Sequence, residues 1–149
     1  MTDGETIFVD TNILLDACDE SRDGHELSLQ FLENGLSGKL HLFTSGQVFR
    51  EFLVVATRPI EVNGLGLPPS DAIANIQEFA RTIRLLEENE SVSQKLRELV
   101  QKLHLQGKHI HDANIAATML EHGIGKIATW NADDFVAFPG VIPVPPRFD

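Results

Sequence analysis

The sequence has few of the residues that mark secreted, zinc-binding or membrane-spanning proteins. It contains one cysteine, Cys18, and no tyrosine among its 149 residues. One cysteine cannot form an intrachain disulfide, and without a CxxC or Cys/His ligand pattern we expect no structural zinc site. No apolar stretch approaches the roughly 20 residues needed to span a bilayer. The first ten residues, MTDGETIFVD, lack the basic and apolar segments of a signal peptide, so we expect a cytoplasmic protein that does not bind membranes.

Positive charge is also scarce. The sequence has 12 Lys and Arg against 22 Asp and Glu, which gives a formal net charge of −10. General nucleic-acid binders are usually basic, because Lys and Arg contact the phosphates. This protein therefore either does not bind nucleic acid or concentrates part of its acidic residues where metal cations offset them. Its length and its 42% of hydrophobic residues predict one globular domain over residues 1–149.

Short apolar runs alternate with helical periodicity along the chain. The alternation predicts an α/β fold with a parallel sheet of about four or five strands and helices on both faces. In such sheets, sites form beyond the C-terminal ends of the strands. A Gly- and Pro-rich loop is predicted over 59–70, and the periodicity that follows it extends to about Leu86. The predicted strands are 6–10, 40–45, 126–129 and one within 140–146, and the predicted helices are 12–18, 25–39, 47–57, 70–86, 91–105 and 112–122.

Three acidic residues lie at positions where carboxylates need an explanation. Asp10 closes the first strand and Asp112 begins the last helix, so either could be an ordinary helix N-cap. Glu51 lies on the apolar side of its helix, where glutamate is rare unless it is paired or bound to a metal. The alternatives for Glu51 are that its helix is partly exposed and the side chain reaches solvent at the edge of the core, or that it pairs with Arg50 or Arg58. No single position decides between these interpretations.

A fourth acidic segment, TWNADDF at 129–135, follows the strand KIA. Turn formation alone accounts for Asn and Asp there. If this segment converges with the other three acids, unpaired carboxylates would repel each other by roughly 4 kcal/mol per pair at about 4 Å. A bound cation would turn that repulsion into attraction. Oxygen ligands of this kind suit Mg²⁺ or Mn²⁺ rather than zinc.

Four segments together resemble the ordered acidic motifs of the PIN domain, and more narrowly those of the VapC-type toxins of bacterial toxin–antitoxin pairs. These segments are FVDTN at 8–12, VFREF at 48–52, HIHDANIAAT at 109–118 and TWNADDF at 129–135. The resemblance covers nearly the whole chain. It implies a three-layer PIN-like fold and a Mg²⁺- or Mn²⁺-dependent ribonuclease that hydrolyses phosphodiester bonds in RNA.

The resemblance also implies which residues are catalytic and bind the metal. Asp10, Glu51 and Asp112 match the three core acids of the family. Many relatives have an acid where this sequence has Asn131, so the resemblance leaves the fourth role to Asp134, with Asp133 as the alternative. A neutral Asn131 would lower the affinity for metal. The supporting residues that the resemblance implies are Thr11, Thr129, Asn131 and Asp133.

The resemblance further implies an RNA substrate, a cognate antitoxin protein and a homodimer. An RNA-processing nuclease outside a toxin–antitoxin pair and a non-catalytic interaction module with the same fold remain as alternatives. A phosphoryl-transfer domain of the haloacid dehalogenase type is disfavoured, since it requires DxD where this sequence has Asp10-Thr11-Asn12. A response-regulator receiver is disfavoured too, because the sequence lacks its early acid pair and its later strand-end lysine.

Overall fold

The computed structural model describes residues 4–147, so residues 1–3 and 148–149 of the predicted 1–149 domain lie outside the described residues. Its five strands form one sheet in which all neighbouring strands are parallel, in the order β3-β2-β1-β4-β5. The strands are β1 (Glu5–Val9), β2 (Leu40–Ser45), β3 (Arg84–Leu86), β4 (Lys126–Ala128) and β5 (Ile142–Val144).

Among the described residues, six α-helices flank this sheet, which confirms the predicted α/β class. Two short 3-10 turns, Ile60–Val62 and Ala132–Asp134, lie in the connecting segments. The helices are α1 (Thr11–Ala17), α2 (His25–Leu36), α3 (Gly46–Thr57), α4 (Pro69–Phe79), α5 (Glu90–Leu103) and α6 (His109–Glu121). No helix within residues 4–147 is long and apolar enough to cross a membrane.

The strand order places a topological switch point between β1 and β4. From β1 the chain moves outward to β2 and β3, then returns to add β4 on the other side of β1. Right-handed crossovers put α1–α4 on one face and α5 and α6 on the other. Accordingly α1 packs on α2 and α3, α3 packs on α4, and α5 packs on α6. Ligand sites of parallel α/β sheets form at such switch points.

The core fixes the central strands that lead to this point. Phe8 and Val9 of β1 are fully buried, as are Ile127 and Ala128 of β4. Burying an aliphatic or aromatic side chain contributes about 1.5–3 kcal/mol each. The last residues of β1 and β4 are therefore anchored between helical layers, and whatever follows them is held at a defined position.

The predicted helix over 70–86 is wrong in its second half. Helix α4 ends at Phe79, and Arg84–Leu86 form β3, which pairs with β2 through Phe43 and Arg84, among others. Helical spacing of apolar residues continues through this segment, so the sequence pattern does not show the break. Backbone pairing with the edge of β2 overrides that local preference. The strand ends directly before Glu87 and Glu88, and Glu88 reaches the first turn of α3.

Candidate active site

Asp10 lies at the C-terminal end of β1, beside the end of β4. Its backbone N–H donates to the carbonyl of Ala128 at 3.1 Å, which continues the β1–β4 pairing by one residue. One carboxylate oxygen, Oδ1, accepts from the N–H of Thr11 at 2.8 Å and so caps α1. The other, Oδ2, accepts from the hydroxyl of Thr129 at 2.8 Å. Asp10 is thus a helix cap and also a group held against β4.

The hydroxyl of Thr129 connects three segments at the switch point. Besides donating to Asp10, it accepts from the side-chain amide of Asn12 at 3.4 Å and from the backbone N–H of Asn131 at 2.9 Å. A hydroxyl has one donor and two acceptor positions, so this hydrogen-bonding capacity is fully used. Asn131 contacts Thr129 through its backbone, and the Asn131 residue itself is exposed.

Asp112 is not a helix cap, contrary to one of the two interpretations above. Helix α6 begins at His109, three residues before the predicted start, with Lys108 at the N-cap position. The earlier start follows from the turn at Gly107, whose carbonyl accepts from the N–H of Ile110 at 3.1 Å. Asp112 therefore lies in the first turn of α6.

The surroundings of the Asp112 carboxylate favour its protonated form. The pKa of Asp112 is raised from 3.8 to about 6, chiefly by burial and then by the negative charges of Asp134 and Asp10. His109, with Nδ1 3.7 Å from Oδ2 of Asp112, acts in the opposite direction. The charges of Asp10, after β1, and Asp134, in the turn after β4, both act on Asp112 in the first turn of α6. These three segments therefore lie close together.

Glu51 on α3 belongs to the same group of acids. It is half-buried, and its Oε1 accepts from Nε2 of Gln47 at 3.3 Å. Burial raises the pKa of Glu51, and the charges of Asp10 and Asp112 raise it further, whereas the bond from Gln47 and the charge of His111 lower it. The carboxylate that the sequence placed on an apolar helix face thus interacts with the acids of β1 and α6.

The ion pair predicted as one alternative for Glu51 is absent from the described residues, and Glu51 is partly exposed, as the other alternative expected. Neither Arg50 nor Arg58 forms an ion pair with Glu51 there. Its neighbours include other carboxylates, so no adjacent arginine explains its burial.

The turn after β4 brings one of its two aspartates toward the other acids. Asp134, the last residue of the 3-10 turn Ala132–Asp134, raises the pKa values of both Asp10 and Asp112 by its charge. Asp133 is exposed and does not contribute to the shift of either. Asp134 is also less exposed than Asp133, although the two are consecutive in the same turn.

The four carboxylates influence one another's charge, but they are not close enough together to form a complete set of metal ligands in the described residues. Burial and a neighbouring negative charge raise the pKa of Asp10, as they do for Glu51 and Asp112. Within residues 4–147, no three His, Cys, Asp or Glu side chains are arranged to hold a metal ion together. A divalent cation brought between such carboxylates would remove the repulsion that raises their pKa values.

Other polar atoms near the strand ends are consistent with a ligand site. The hydroxyl oxygens of Thr11 and Ser45 are buried and have no hydrogen-bond partner among the described residues. Thr11 directly follows Asp10, and Ser45 is the last residue of β2, the strand next to β1. Buried polar groups nearly always have a hydrogen-bond partner. Two buried hydroxyl groups without one, both at the same edge of the sheet, therefore indicate a ligand site. The all-oxygen donor set fits Mg²⁺ or Mn²⁺.

Sequence reasoning missed three residues that form a chain of hydrogen bonds ending at Glu51. Gln47 is almost completely buried and donates to Glu51, Asn114 donates to Gln47, and Glu88 accepts from Asn114. A polar residue one helical turn before Glu51, on the same buried face, was a detectable signal for Gln47. No local signal identifies Glu88, because its contact spans 41 residues of sequence.

The fold is a parallel α/β sheet with four interacting carboxylates, those of Asp10, Glu51, Asp112 and Asp134, near the β1–β4 switch point. These two features together define the class of protein. The PIN domain family matches residues 7–140, so the chain belongs to the PIN domain family. This confirms the resemblance drawn from the four motifs. PIN domains are generally nucleases, and those nucleases generally use divalent metal ions. No curated protein matches the sequence.

Solved structures with the same fold include VapC toxins and their complexes. VapBC2 from Rickettsia felis, bound to a DNA fragment from its promoter, aligns with a TM-score of 0.69 and 16% identity over 94% of this chain and 98% of that chain. VapBC-1 from nontypeable Haemophilus influenzae gives 0.68 and 17% over 95% and 98%. VapC20 from Mycobacterium tuberculosis, a sarcin-ricin loop cleaving toxin, gives 0.66 and 18% over 92% and 99%.

Proposed function

We propose that this PIN domain is a Mg²⁺- or Mn²⁺-dependent ribonuclease that hydrolyses phosphodiester bonds in RNA, with residues 1–149 as one domain. The observation that supports this proposal is that four carboxylates from separate elements lie within electrostatic range of one another. Asp10, Glu51, Asp112 and Asp134 lie as far as 124 positions apart in sequence (134 − 10), yet the charges of Asp10 and Asp134 shift the pKa values of other members. Carboxylates brought together in this way repel one another, and a shared cation would remove that repulsion.

The residues divide into metal-binding and positioning groups in this proposal. Asp10 and Asp112 would hold the cation, and Glu51 and Asp134 would complete the set or orient the attacking water. A cation bound there supplies a positive charge that orients the phosphate and lowers the pKa of a coordinated water. Glu51, whose carboxylate lies within electrostatic range of Asp10 and Asp112, would be placed to orient the attacking water.

Four further residues support the metal-binding carboxylates. Thr129 fixes the Asp10 carboxylate by its hydroxyl, and Thr11 fixes it by its backbone N–H. Asn131 directly precedes the turn that carries Asp134 and is anchored on Thr129 through its backbone N–H, and Asp133 lies within that turn. No protein nucleophile is required, because water attacks the phosphorus in line with the leaving 3′-oxygen. The products would be a 5′-phosphate and a 3′-hydroxyl.

We further propose that the protein is the toxin of a type II toxin–antitoxin pair, acting in the cytoplasm as a homodimer. Two observations support a basic antitoxin partner. Structures with this fold include VapBC toxin–antitoxin complexes. The net charge of −10 exceeds what four site residues account for, and it favours a partner that supplies positive charge.

Cleavage of RNA by the purified protein tests the nuclease. We expect Mg²⁺-dependent cleavage that is lost in Asp10→Asn and Asp112→Asn, each of which preserves side-chain shape while removing a charge. Folded variants that cut as well as the wild type would refute the assignment. A wild-type protein that binds RNA or protein without cutting would instead indicate the non-catalytic module.

Growth on expression distinguishes a toxin from an RNA-processing enzyme. We expect that expression of the protein alone arrests growth, that Asp10→Asn does not, and that a small basic protein encoded next to it relieves the arrest. Normal growth in cells that contain soluble, active enzyme would support a processing role instead.

A further inference from the structure

Gln47 is a buried polar residue that the proposed mechanism does not use. It is 1% exposed, and its amide group makes three side-chain hydrogen bonds. Nε2 donates to Oε1 of Glu51 at 3.3 Å and to the backbone carbonyl of His111 at 2.9 Å. Oε1 accepts from Nδ2 of Asn114 at 2.6 Å. Gln47 therefore links the carboxylate of Glu51 on α3 to two points on α6, one of them adjacent to Asp112.

Asn114 continues this chain of amides outward. Its Nδ2 carries two hydrogens, one for Gln47 and one for Oε1 of Glu88 at 2.7 Å. The second oxygen of Glu88, Oε2, accepts from the backbone N–H of Gln47 at 3.0 Å. Glu88 thus closes a ring of hydrogen bonds with Asn114 and Gln47. Glu88 itself is exposed to solvent.

The two ends of the chain fix the orientation of both amides. At one end the carbonyl of His111 can only accept, so Nε2 of Gln47 must face it. At the other end the carboxylate of Glu88 accepts, so Nδ2 of Asn114 must face it. Both conditions require Oε1 of Gln47 to point at Asn114, which leaves Nε2 directed at Glu51. A reversed amide at either position would place two acceptors or two donors against each other.

Glu88 also replaces a missing helix cap. Ser45 is the N-cap residue of α3, but its side chain makes no capping hydrogen bond. Glu88, just after β3, instead accepts from the N–H of Gln47 in the first turn of α3. A carboxylate at a helix N-terminus is stabilised by the unpaired N–H groups there. This position of Glu88 is therefore favourable in its own right, and it holds the outer end of the amide chain.

We propose that Glu88, Asn114 and Gln47 form a polar relay that positions the Glu51 carboxylate for metal binding and holds α3 and α6 in register. This inference rests on the proposed function, because it assigns the relay a role toward the same metal. The three relay members are positioning residues, since none needs to contact the metal or the RNA. Groups that orient metal ligands in this way typically change metal affinity 10- to 100-fold when they are removed, by order of magnitude.

Mn²⁺ affinity, measured from the electron paramagnetic resonance signal of free Mn²⁺, tests the relay independently of RNA cleavage. Gln47→Leu removes both Nε2 bonds with little change in volume, and we expect about tenfold weaker binding. Asn114→Asp presents only acceptors to Gln47 and would turn its amide away from Glu51. It adds a negative charge near the site, so charge alone predicts tighter binding, whereas the relay predicts about tenfold weaker binding.

Glu88→Gln has a matched control in Glu87→Gln. Both remove one charge from adjacent exposed residues, but the side chain of Glu87 makes no hydrogen bond within the described residues. We expect Glu88→Gln to weaken Mn²⁺ binding and Glu87→Gln to leave it unchanged. Circular dichroism and thermal melting establish that each variant is folded at the temperature of the titration. If Gln47→Leu does not fold, Asn114→Asp and Glu88→Gln still test the relay, because Asn114 is half-buried and Glu88 is exposed.

The outcomes separate the relay from the proposed function. Weaker Mn²⁺ binding in Asn114→Asp and Glu88→Gln, with normal binding in Glu87→Gln, supports the relay. Wild-type affinity in the folded Asn114→Asp and Glu88→Gln variants, together with RNA cleavage by the wild type, overturns the relay alone. A wild-type protein that neither binds Mn²⁺ nor cuts RNA overturns the proposed function and the relay with it.

Discussion

The hydroxyl of Thr129 donates a 2.8 Å hydrogen bond to Oδ2 of Asp10, and this bond joins the C-terminal ends of β1 and β4. It lowers the pKa of the Asp10 carboxyl, whereas burial, the larger effect, raises it. One hydroxyl therefore helps to keep a buried acid ionised and fixes the direction in which its free lone pairs point. Such control matters for a group that is proposed to hold a cation.

Replacing Thr129 tests that relationship. We expect Thr129→Val to raise the pKa of Asp10, to weaken Mn²⁺ binding, and to lower the free energy of unfolding by about 1–2 kcal/mol, because a buried carboxylate loses a donor. Thr129→Ser retains the hydroxyl and is expected to bind Mn²⁺ nearly as well as the wild type. Isothermal titration with Mn²⁺ and chemical denaturation measure the two effects. Equal Mn²⁺ affinity in the Val and Ser variants would show that the hydroxyl has no such role.

Asp133 and Asp134 offer a matched pair of substitutions in the turn after β4. Asp134→Asn is expected to lower Mg²⁺-dependent cleavage about 10-fold or more, because Asp134 lies within electrostatic range of Asp10 and Asp112. Asp133→Asn changes the same charge one residue away and is expected to have little effect, since Asp133 is exposed. Cleavage rates at saturating Mg²⁺ compare the two. A larger loss in Asp133→Asn would assign the fourth acid to Asp133 instead.

Asn131 occupies the position where many PIN domains have an acid. Asn131→Asp adds a carboxylate beside Thr129, whose hydroxyl already anchors the Asn131 backbone. We expect the variant to bind Mn²⁺ more tightly than the wild type and to melt at a lower temperature when Mn²⁺ is removed, because the added charge repels the neighbouring acids. Melting curves with Mn²⁺ and with chelator measure both shifts. Unchanged melting in both conditions would place residue 131 outside the site.

The raised pKa values predict how stability depends on pH in the absence of metal. The pKa of Asp112 is about 6 in the folded protein against 3.8 ordinarily, so between these values the folded state binds more protons than the unfolded state. The contribution of this group is therefore fully present below about pH 4 and is lost as the pH rises through about 6. The pKa values of Asp10 and Glu51 are shifted in the same direction.

Asp112→Asn isolates this contribution from the other titrating groups. With chelator present, we expect the variant to be more stable than the wild type by about 1–2 kcal/mol at pH ~7.5, and the difference to shrink toward pH ~4.5. Urea denaturation at several pH values measures the difference. A variant that is less stable than the wild type at neutral pH would mean that the Asp112 carboxylate is favourably paired rather than repelled.

Much of the architecture follows from local sequence patterns. The apolar runs before Asp10 and before Thr129 predicted two strands, and parallel strands bring their C-terminal ends to one edge of the sheet. Glu51 was conspicuous because a carboxylate on an apolar helix face requires a partner. The acids of the site were thus candidates from residue type and position alone.

Other features depend on contacts that no local pattern records. The segment Arg84–Leu86 continues a helical spacing yet forms β3, because the open edge of β2 offers backbone hydrogen bonds. Asp133 and Asp134 are consecutive residues of the same type, and the resemblance left Asp133 as an alternative to Asp134 that residue type alone does not decide. Glu88 reaches the first turn of α3 across 41 residues. Long-range pairing decides each of these cases.

In the proposed active site, Asp10, Glu51, Asp112 and Asp134 share a divalent cation. The most direct test is a crystal of the protein grown or soaked with Mn²⁺, with an anomalous difference map calculated at the manganese absorption edge. We predict a peak bonded to carboxylate oxygens of Asp10 and Asp112, with Glu51 and Asp134 bonded to it directly or through water. A map from a crystal soaked in millimolar Mn²⁺ that has no peak among these residues would contradict the account.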